Sequence, residues 1–179
     1  MQLIDQVILV DEQDNALGSM EKMEAHRTAC LHRAFSVFLF DKQERMLLQK
    51  RAEGKYHSPN LWTNTCCSHP KPGETVVAAA KRRLQEEMGI STTVNKAFDF
   101  IYKASLDQGM TEYEFDHVMV GLFEGPVFPN QLEVADYLYV SLDEIANDLK
   151  VKPDEYTVWF QIAFPKLKEW LQTQKMQIN

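Results

Sequence analysis

Cysteine is scarce in this sequence: there are three, and two of them, Cys66 and Cys67, are adjacent. A disulfide framework is thereby excluded, and a reducing compartment is the expectation. Long apolar runs are also missing. The longest apolar-rich stretch, residues 34–40, is far too short to cross a bilayer. The opening MQLIDQVILVDEQDN lacks both the basic start and the apolar centre of a secretion leader. Cations are the minority charge, with 19 Lys and Arg against 26 Asp and Glu and a net charge of −7, which speaks against a nucleic-acid surface. These absences predict a cytoplasmic protein that binds neither membrane nor nucleic acid. No repeat, linker or low-complexity segment divides the chain, so residues 1–179 are expected to form one domain with a full core.

Short strands and a few helices are present instead. Residues 6–10 and 16–20 read as strands about a polar turn, and 32–40 and 46–49 as a second pair about the turn at 41–45. Residues 54–61 read as a loop carrying Lys55 and His57. Further strands are expected at 97–104, 113–123 and 137–140. Ser141 and Glu144 form a capping box that opens a helix to Leu149. Residues 156–164 read as helical, interrupted at Pro165, with a last amphipathic piece at 166–175. Mixed strands and helices predict an α+β or α/β sandwich around one sheet.

One stretch organises the rest: WTNTCCSHPKPGETVVAAAKRRLQEEMGI, residues 62–90. Two thiols and His69 open it, prolines and a glycine break it, and a helix follows. Glu74 is expected in the first helical turn, where a carboxylate favours the dipole, with Gly89 just past the end. Val77, Ala80, Leu84 and Met88 recur at helical spacing as an apolar stripe. At roughly 100° per residue, Glu87 points within about 20° of Ala80, at the border of that stripe. Arg83 lies one turn earlier, and Arg82 and Glu86 point further toward solvent. Two readings remain: an exposed face laced by i,i+4 Arg–Glu pairs, or a carboxylate placed to hold a metal.

The spacing resembles the Nudix signature, matching it at Glu74, Arg82, Leu84, Glu86, Glu87, Gly89 and Ile90. It departs at Ser68, where the signature has Gly, and at Arg83, where it has Glu. Loss of that second carboxylate keeps the implied Nudix fold and argues against ordinary Nudix hydrolysis, which needs a carboxylate-rich site for several Mg²⁺ ions.

Other candidates are scattered. His26 and His32 flank one segment, and His69 follows Cys67 by two. Glu112 and Glu114 stand two apart on an expected strand and so share a face. They read either as a solvated edge or, with the three histidines, as a nitrogen-and-oxygen site for Zn²⁺, Mn²⁺ or a similar ion. Cys67 is either a small buried apolar residue or a reactive thiol. Lys22, Arg51, Lys55 and Arg83 are surface cations individually; together on an acidic protein they suit a diphosphate, with a metal at Glu87 bridging its oxygens.

LHRAFSVFLF, WTNTCCSHP, the altered Nudix helix and EYEFDH together resemble the type I isopentenyl-diphosphate Δ-isomerases, over most of the chain from about Val7 to Trp159. The resemblance implies an α/β/α sandwich and interconversion of isopentenyl and dimethylallyl diphosphate, a step of isoprene biosynthesis. It implies Cys67 and Glu114 as the catalytic acid–base pair, Tyr102 beside that glutamate, and Trp159 over the hydrocarbon. His26, His32, His69, Glu112 and Glu114 match the ligands of a tightly held Mn²⁺ or Zn²⁺. Glu87, with the Cys67 carbonyl, matches the site of a Mg²⁺ that arrives with substrate, and Lys22, Arg51, Lys55 and Arg83 match the diphosphate cations. A monomer or weak homodimer is expected. The competing readings are a Nudix hydrolase of a diphosphate substrate and a Nudix-fold binding module with a structural metal.

Overall fold

The computed structural model describes residues 5–177. The first four positions, which the leader reading includes, and the last two of the 1–179 domain reading lie outside the described residues. The organising strand is β3 (His32–Phe40). It runs parallel to β8 (Thr111–Leu122) in register from His32↔Glu114 to Phe40↔Leu122. Antiparallel to it lies the short β6 (Cys66–Ser68), paired through Phe35↔Ser68, Ser36↔Cys67 and Val37↔Cys66. The ends of β3 meet β1 (Gln6–Val10) and β4 (Met46–Arg51). β2 (Ala16–Glu21) pairs with β1, β5 (Trp62–Thr63) and β9 (Val134–Val140) with β4, and β7 (Asn95–Ser105) with β8. Among the described residues these nine strands make one mixed sheet.

Alternation along β3 sorts the core into two layers. Phe35, Val37 and Leu39 pack with Ala80, Leu84 and Met88 of α2 (Val76–Met88). Phe38 and Phe40 face the other way, with Ile145 of α3 (Leu142–Val151) and Phe160, Phe164 and Leu167 of α4 (Val158–Gln177). The result is the α/β/α sandwich of an α+β chain. Each fully buried side chain of this size contributes about 1.5–3 kcal/mol. α1 (Lys22–Thr28) packs on β1, β2 and β8.

Several local expectations are corrected. α2 begins at Val76 under a Thr75 cap whose side chain accepts from the Ala78 amide, so Glu74 lies outside its first turn. Glu74 instead clamps Arg82 through two bonds of 2.8 Å. Val77 is 40% exposed and leaves the apolar stripe, whereas Ala80, Leu84 and Met88 are fully buried. Gly89 ends the helix in the left-handed region at φ 64°, and a Cβ there would sit 2.7 Å from the Phe128 carbonyl oxygen.

Pro165 does not interrupt α4. Phe160, Phe164 and Leu167 lie on both sides of it in one core, and this packing outweighs the single backbone bond a proline removes. That helix starts at Val158; Tyr156 instead forms an isolated bridge with Trp62. β9 begins at Val134, three residues before the expected start, because its pairing with β4 extends to Arg51↔Val134.

Candidate active site

The three histidines come from three different elements. His26 lies inside α1, His32 opens β3, and His69 follows β6. With Glu114 of β8 they form a group whose ligand atoms all lie within 4.8 Å of one another. His32 Nε2 is 3.2 Å from His69 Nε2, and Glu114 Oε1 is 2.9 Å from His69 Nε2. The tautomers follow from the outer partners. His26 Nδ1 lies 2.7 Å from the Lys22 carbonyl oxygen and His32 Nδ1 2.8 Å from the Cys30 carbonyl oxygen. A carbonyl only accepts, so each Nδ1 carries the proton, and in the neutral ring Nε2 is left as a lone pair. Neutral rings are favoured: burial pushes His26 below its ordinary value and His69 down to about 4. Lone pairs and a carboxylate oxygen converging in a buried space suit a divalent cation, and the outer carbonyls are the usual means of fixing such ligands.

Glu114 also faces Tyr102 of β7. Tyr102 Oη lies 2.7 Å from Glu114 Oε2 and 2.9 Å from Glu112 Oε2. One hydroxyl proton cannot serve both carboxylates. The arrangement is satisfied when Glu112 carries a proton and donates to Tyr102, which donates to Glu114. The electrostatics agree. Burial and then the Glu114 charge push Glu112 well above the carboxylate range. Burial also opposes the charge of Glu114, but the His32 and His69 rings against it outweigh burial and hold that group well below its ordinary value. Glu112 stands outside the four-residue group, its carboxylate turned to Tyr102.

Glu87 is 4% exposed on α2, at the end of the same cavity. Its Oε1 accepts from Arg83 Nη2 at 2.6 Å, and its Oε2 accepts from Gln49 Nε2 at 2.9 Å. Gln49 is itself anchored by donating to the Thr65 carbonyl at 2.9 Å. Arg83 joins the Glu87 carboxylate one helical turn away, so the signature's missing glutamate is replaced by a cation that neutralises the remaining one.

Cys67 on β6, Tyr102, Glu112 and Trp159 of α4 line a single cavity of about 60 Å³. Lys22, Arg51, Lys55 and Arg83 line it too, as do His26, His69, Glu87 and Glu114. Of the residues singled out by sequence, His32 alone stands behind this wall, fully buried against His69. Burial pushes the Cys67 thiol well up, so it rests as S–H. Arg51 donates to the Ser58 and His57 carbonyls at 3.1 and 3.0 Å and lies over the Trp159 ring at 5.0 Å. It therefore ties the 54–61 loop to α4. Trp159 is further fixed by the start of its helix, where Thr157 donates its amide to Trp62 and its hydroxyl to Thr63.

The sequence reading missed several cavity residues. Tyr56 and His57 stand edge to face at 4.4 Å, and His57 meets Trp159 at 5.5 Å. Burial, then the Arg51 charge, drive His57 down to about 3. Ser36 donates to Asp116 at 2.8 Å beneath the site, where burial and Glu114 push Asp116 up to about 8. Only the polar Ser36 in the otherwise apolar run 34–40 could have flagged that pair. Of the four buried polar atoms without a partner among the described residues, three belong to cavity residues: His69 Nδ1, Arg83 Nε and Trp159 Nε1. Buried polar atoms without a partner are uncommon, and three on residues of one cavity set its wall apart from the rest of the core.

Residues 31–160 match the NUDIX domain. Among solved structures, DR0079 from Deinococcus radiodurans superimposes with a TM-score of 0.74 at 14% identity, covering 90% of this chain and 98% of that one. That likeness concerns the fold. Sequence relatives are much nearer. "Isopentenyl-diphosphate Delta-isomerase 2" of Aromatoleum aromaticum is 50% identical over 91% of this chain and 86% of that protein. "Isopentenyl-diphosphate Delta-isomerase" of Pectobacterium atrosepticum is 44% identical over 97% of each. The Nudix fold defines the class, and within it this chain belongs to the isopentenyl-diphosphate Δ-isomerase family.

Proposed function

We propose that this protein interconverts isopentenyl and dimethylallyl diphosphate by protonation and deprotonation of the hydrocarbon. One observation carries the reading: a thiol, a Tyr–Glu pair and an indole share a buried cavity with four cations. The chemistry requires each part. An unactivated alkene is a weak base, and its protonation leaves a tertiary carbocation that water would capture. The site must supply an acid, a base and a dry wall. Cys67, which burial keeps as a thiol, and Glu114 are the acid–base pair, with Tyr102 relaying a proton between Glu114 and Glu112. The terminal alkene carbon gains a proton, the positive charge resides on the tertiary carbon, and the neighbouring methylene loses a proton to the other member of the pair. No redox cofactor enters, because proton gain and loss balance.

Trp159 lies against the hydrocarbon and stabilises the cation, by about 2 kcal/mol when desolvated. Lys22, Arg51, Lys55 and Arg83 bind the diphosphate, supplying binding energy remote from the reacting carbons. His26, His32, His69 and Glu114, with Glu112 as a fifth, would hold Mn²⁺ or Zn²⁺; Glu87 and the Cys67 carbonyl would hold Mg²⁺. When bound, these ions supply charge that organises the carboxylates and neutralises the diphosphate. No helix among the described residues is long and apolar enough to cross a membrane. The three cysteines, all free, support a reducing, cytoplasmic setting. A hydrolase is disfavoured by the names of the relatives and by Arg83 in place of the signature glutamate.

Incubation with isopentenyl diphosphate and Mg²⁺ in heavy water, followed by proton NMR, tests the reading. Dimethylallyl diphosphate carrying solvent deuterium is the expected product, and Cys67→Ala should lose turnover while keeping its fold. Free phosphate, or an active Cys67→Ala protein, would overturn it.

A further inference from the structure

Two of the four cations are already engaged by a carboxylate that no motif marks. Glu133 pairs with Lys55 Nζ through Oε2 and lies 3.4 Å from Arg83 Nη2 through Oε1. It is not itself a cavity-lining residue, but it holds two residues that are. Arg83 meets Glu86 and Glu87 as well, at 2.7 and 2.6 Å, yet its Nε is buried without a partner. Of the three carboxylate contacts of this guanidinium, the one to Glu133 is the longest and so the one an arriving anion displaces at least cost.

The Glu133 carboxylate is delivered by a fixed backbone. Its amide donates to Asn130 at 2.9 Å, and its carbonyl accepts from Ala52, the residue after β4, at 3.0 Å. Asn130 in turn donates to the Glu87 carbonyl at 2.8 Å, so the turn is tied to both α2 and β4. The turn thus holds the carboxylate against both cations. A tethered carboxylate with two oxygens on two cations competes at an effective concentration far above that of a free anion.

We propose that Glu133 is a positioning residue that sets substrate affinity: in the free protein it occupies Lys55 and Arg83, and the arriving diphosphate displaces it. The inference rests on the diphosphate reading above and deepens it. In the free protein the pairing spares two half-buried cations from standing without counter-charge. When product leaves, the carboxylate returns and competes for the same donors. Removing its charge while keeping its shape leaves both cations to the ligand.

Calorimetric titration with inorganic diphosphate, alongside KM for isopentenyl diphosphate, tests this with Glu133→Gln and Glu133→Asp. Glu133→Gln should bind inorganic diphosphate about tenfold more tightly, with KM falling in step and kcat not rising. Glu133→Asp, which keeps the charge, should retain the weaker native affinity. A merely structural role would not produce a gain. Equal or weaker binding by Glu133→Gln, with binding by the native protein intact, overturns the proposal alone. Binding to neither protein overturns the diphosphate subsite and the proposal with it.

Discussion

Two buried carboxylates in this protein are held by opposite means. Glu114 is surrounded by imidazoles and a phenol, groups with no net charge when neutral, and it reaches them from a strand. Glu87 sits on a helix and is held by a guanidinium and an amide. The first arrangement leaves lone pairs converging on one point, which demands a cation from outside. The second is already neutralised by Arg83, so a further ion there needs negative charge brought by a ligand. Under the proposed function, the difference would account for a tightly binding site at Glu114 and a site at Glu87 that fills together with a diphosphate.

Replacing Glu114 with Gln is the severest way to break that contrast. Turnover should fall about a thousandfold or more, and the bound divalent metal, read by elemental analysis, should fall with it. Full metal content after this change would separate Glu114 from the imidazole site. Gln49→Leu addresses the other carboxylate. Removing its amide donor should weaken Mg²⁺ binding about tenfold, measured in the presence of inorganic diphosphate, without changing the tightly held metal. Loss of both metals together would show that the two centres are not independent.

His57→Phe should have the smallest effect and sharpens the electrostatic side of the comparison. Buried among Arg51, Lys22, His26 and Glu114, His57 has its folded value at about 3 against an ordinary 6.5. Its proton affinity is lower folded than unfolded, so its stabilising contribution is complete above about pH 6.5 and fades as pH falls toward about 3. Thermal unfolding between neutral pH and about pH 4 should therefore drop less steeply, by a few degrees, in the Phe variant. An unchanged slope would remove His57 from the acid-sensitive groups.

The two centres also differ in how far sequence reveals them. Glu87 and Arg83 lie within one helix that Gly89 caps, and the helical period fixes their relative directions, so their relation was readable from spacing. Arg82 and Glu86 do point further toward solvent than Arg83 and Glu87, but the Glu74 partner of Arg82, eight residues away across a turn that periodicity does not describe, was not readable. His26, His32, His69 and Glu114 are brought together only by α1 and by the β3–β8 and β3–β6 pairings. No local pattern encodes those pairings: residue type alone offered the set as one of two readings, and resemblance to a family chose between them. α1 went unread because seven residues are too few for a periodic signal, and its Glu21 cap is an unusual one. Glu133 and Gln49 had no signal at all, since single polar residues in a turn and a strand look like solvated surface. The sandwich itself was legible because strands and helices are mixed along the chain and the run at 34–40 is apolar enough to be buried on both faces of a sheet.

The three residues of β6 carry a mechanical consequence. Cys66 packs in the α2 layer, where burial and then the Glu87 charge push its thiol well up, while Cys67 packs on the α4 side and lines the cavity. His69 follows directly. A single peptide unit thus separates a thiol on the Glu87 side of the sheet from a candidate acid on the other. Neighbouring thiols that point through opposite faces of a sheet are badly placed to oxidise to each other. They are well placed to act as a shared axle, so that any slip of this strand would put both centres out of alignment at once.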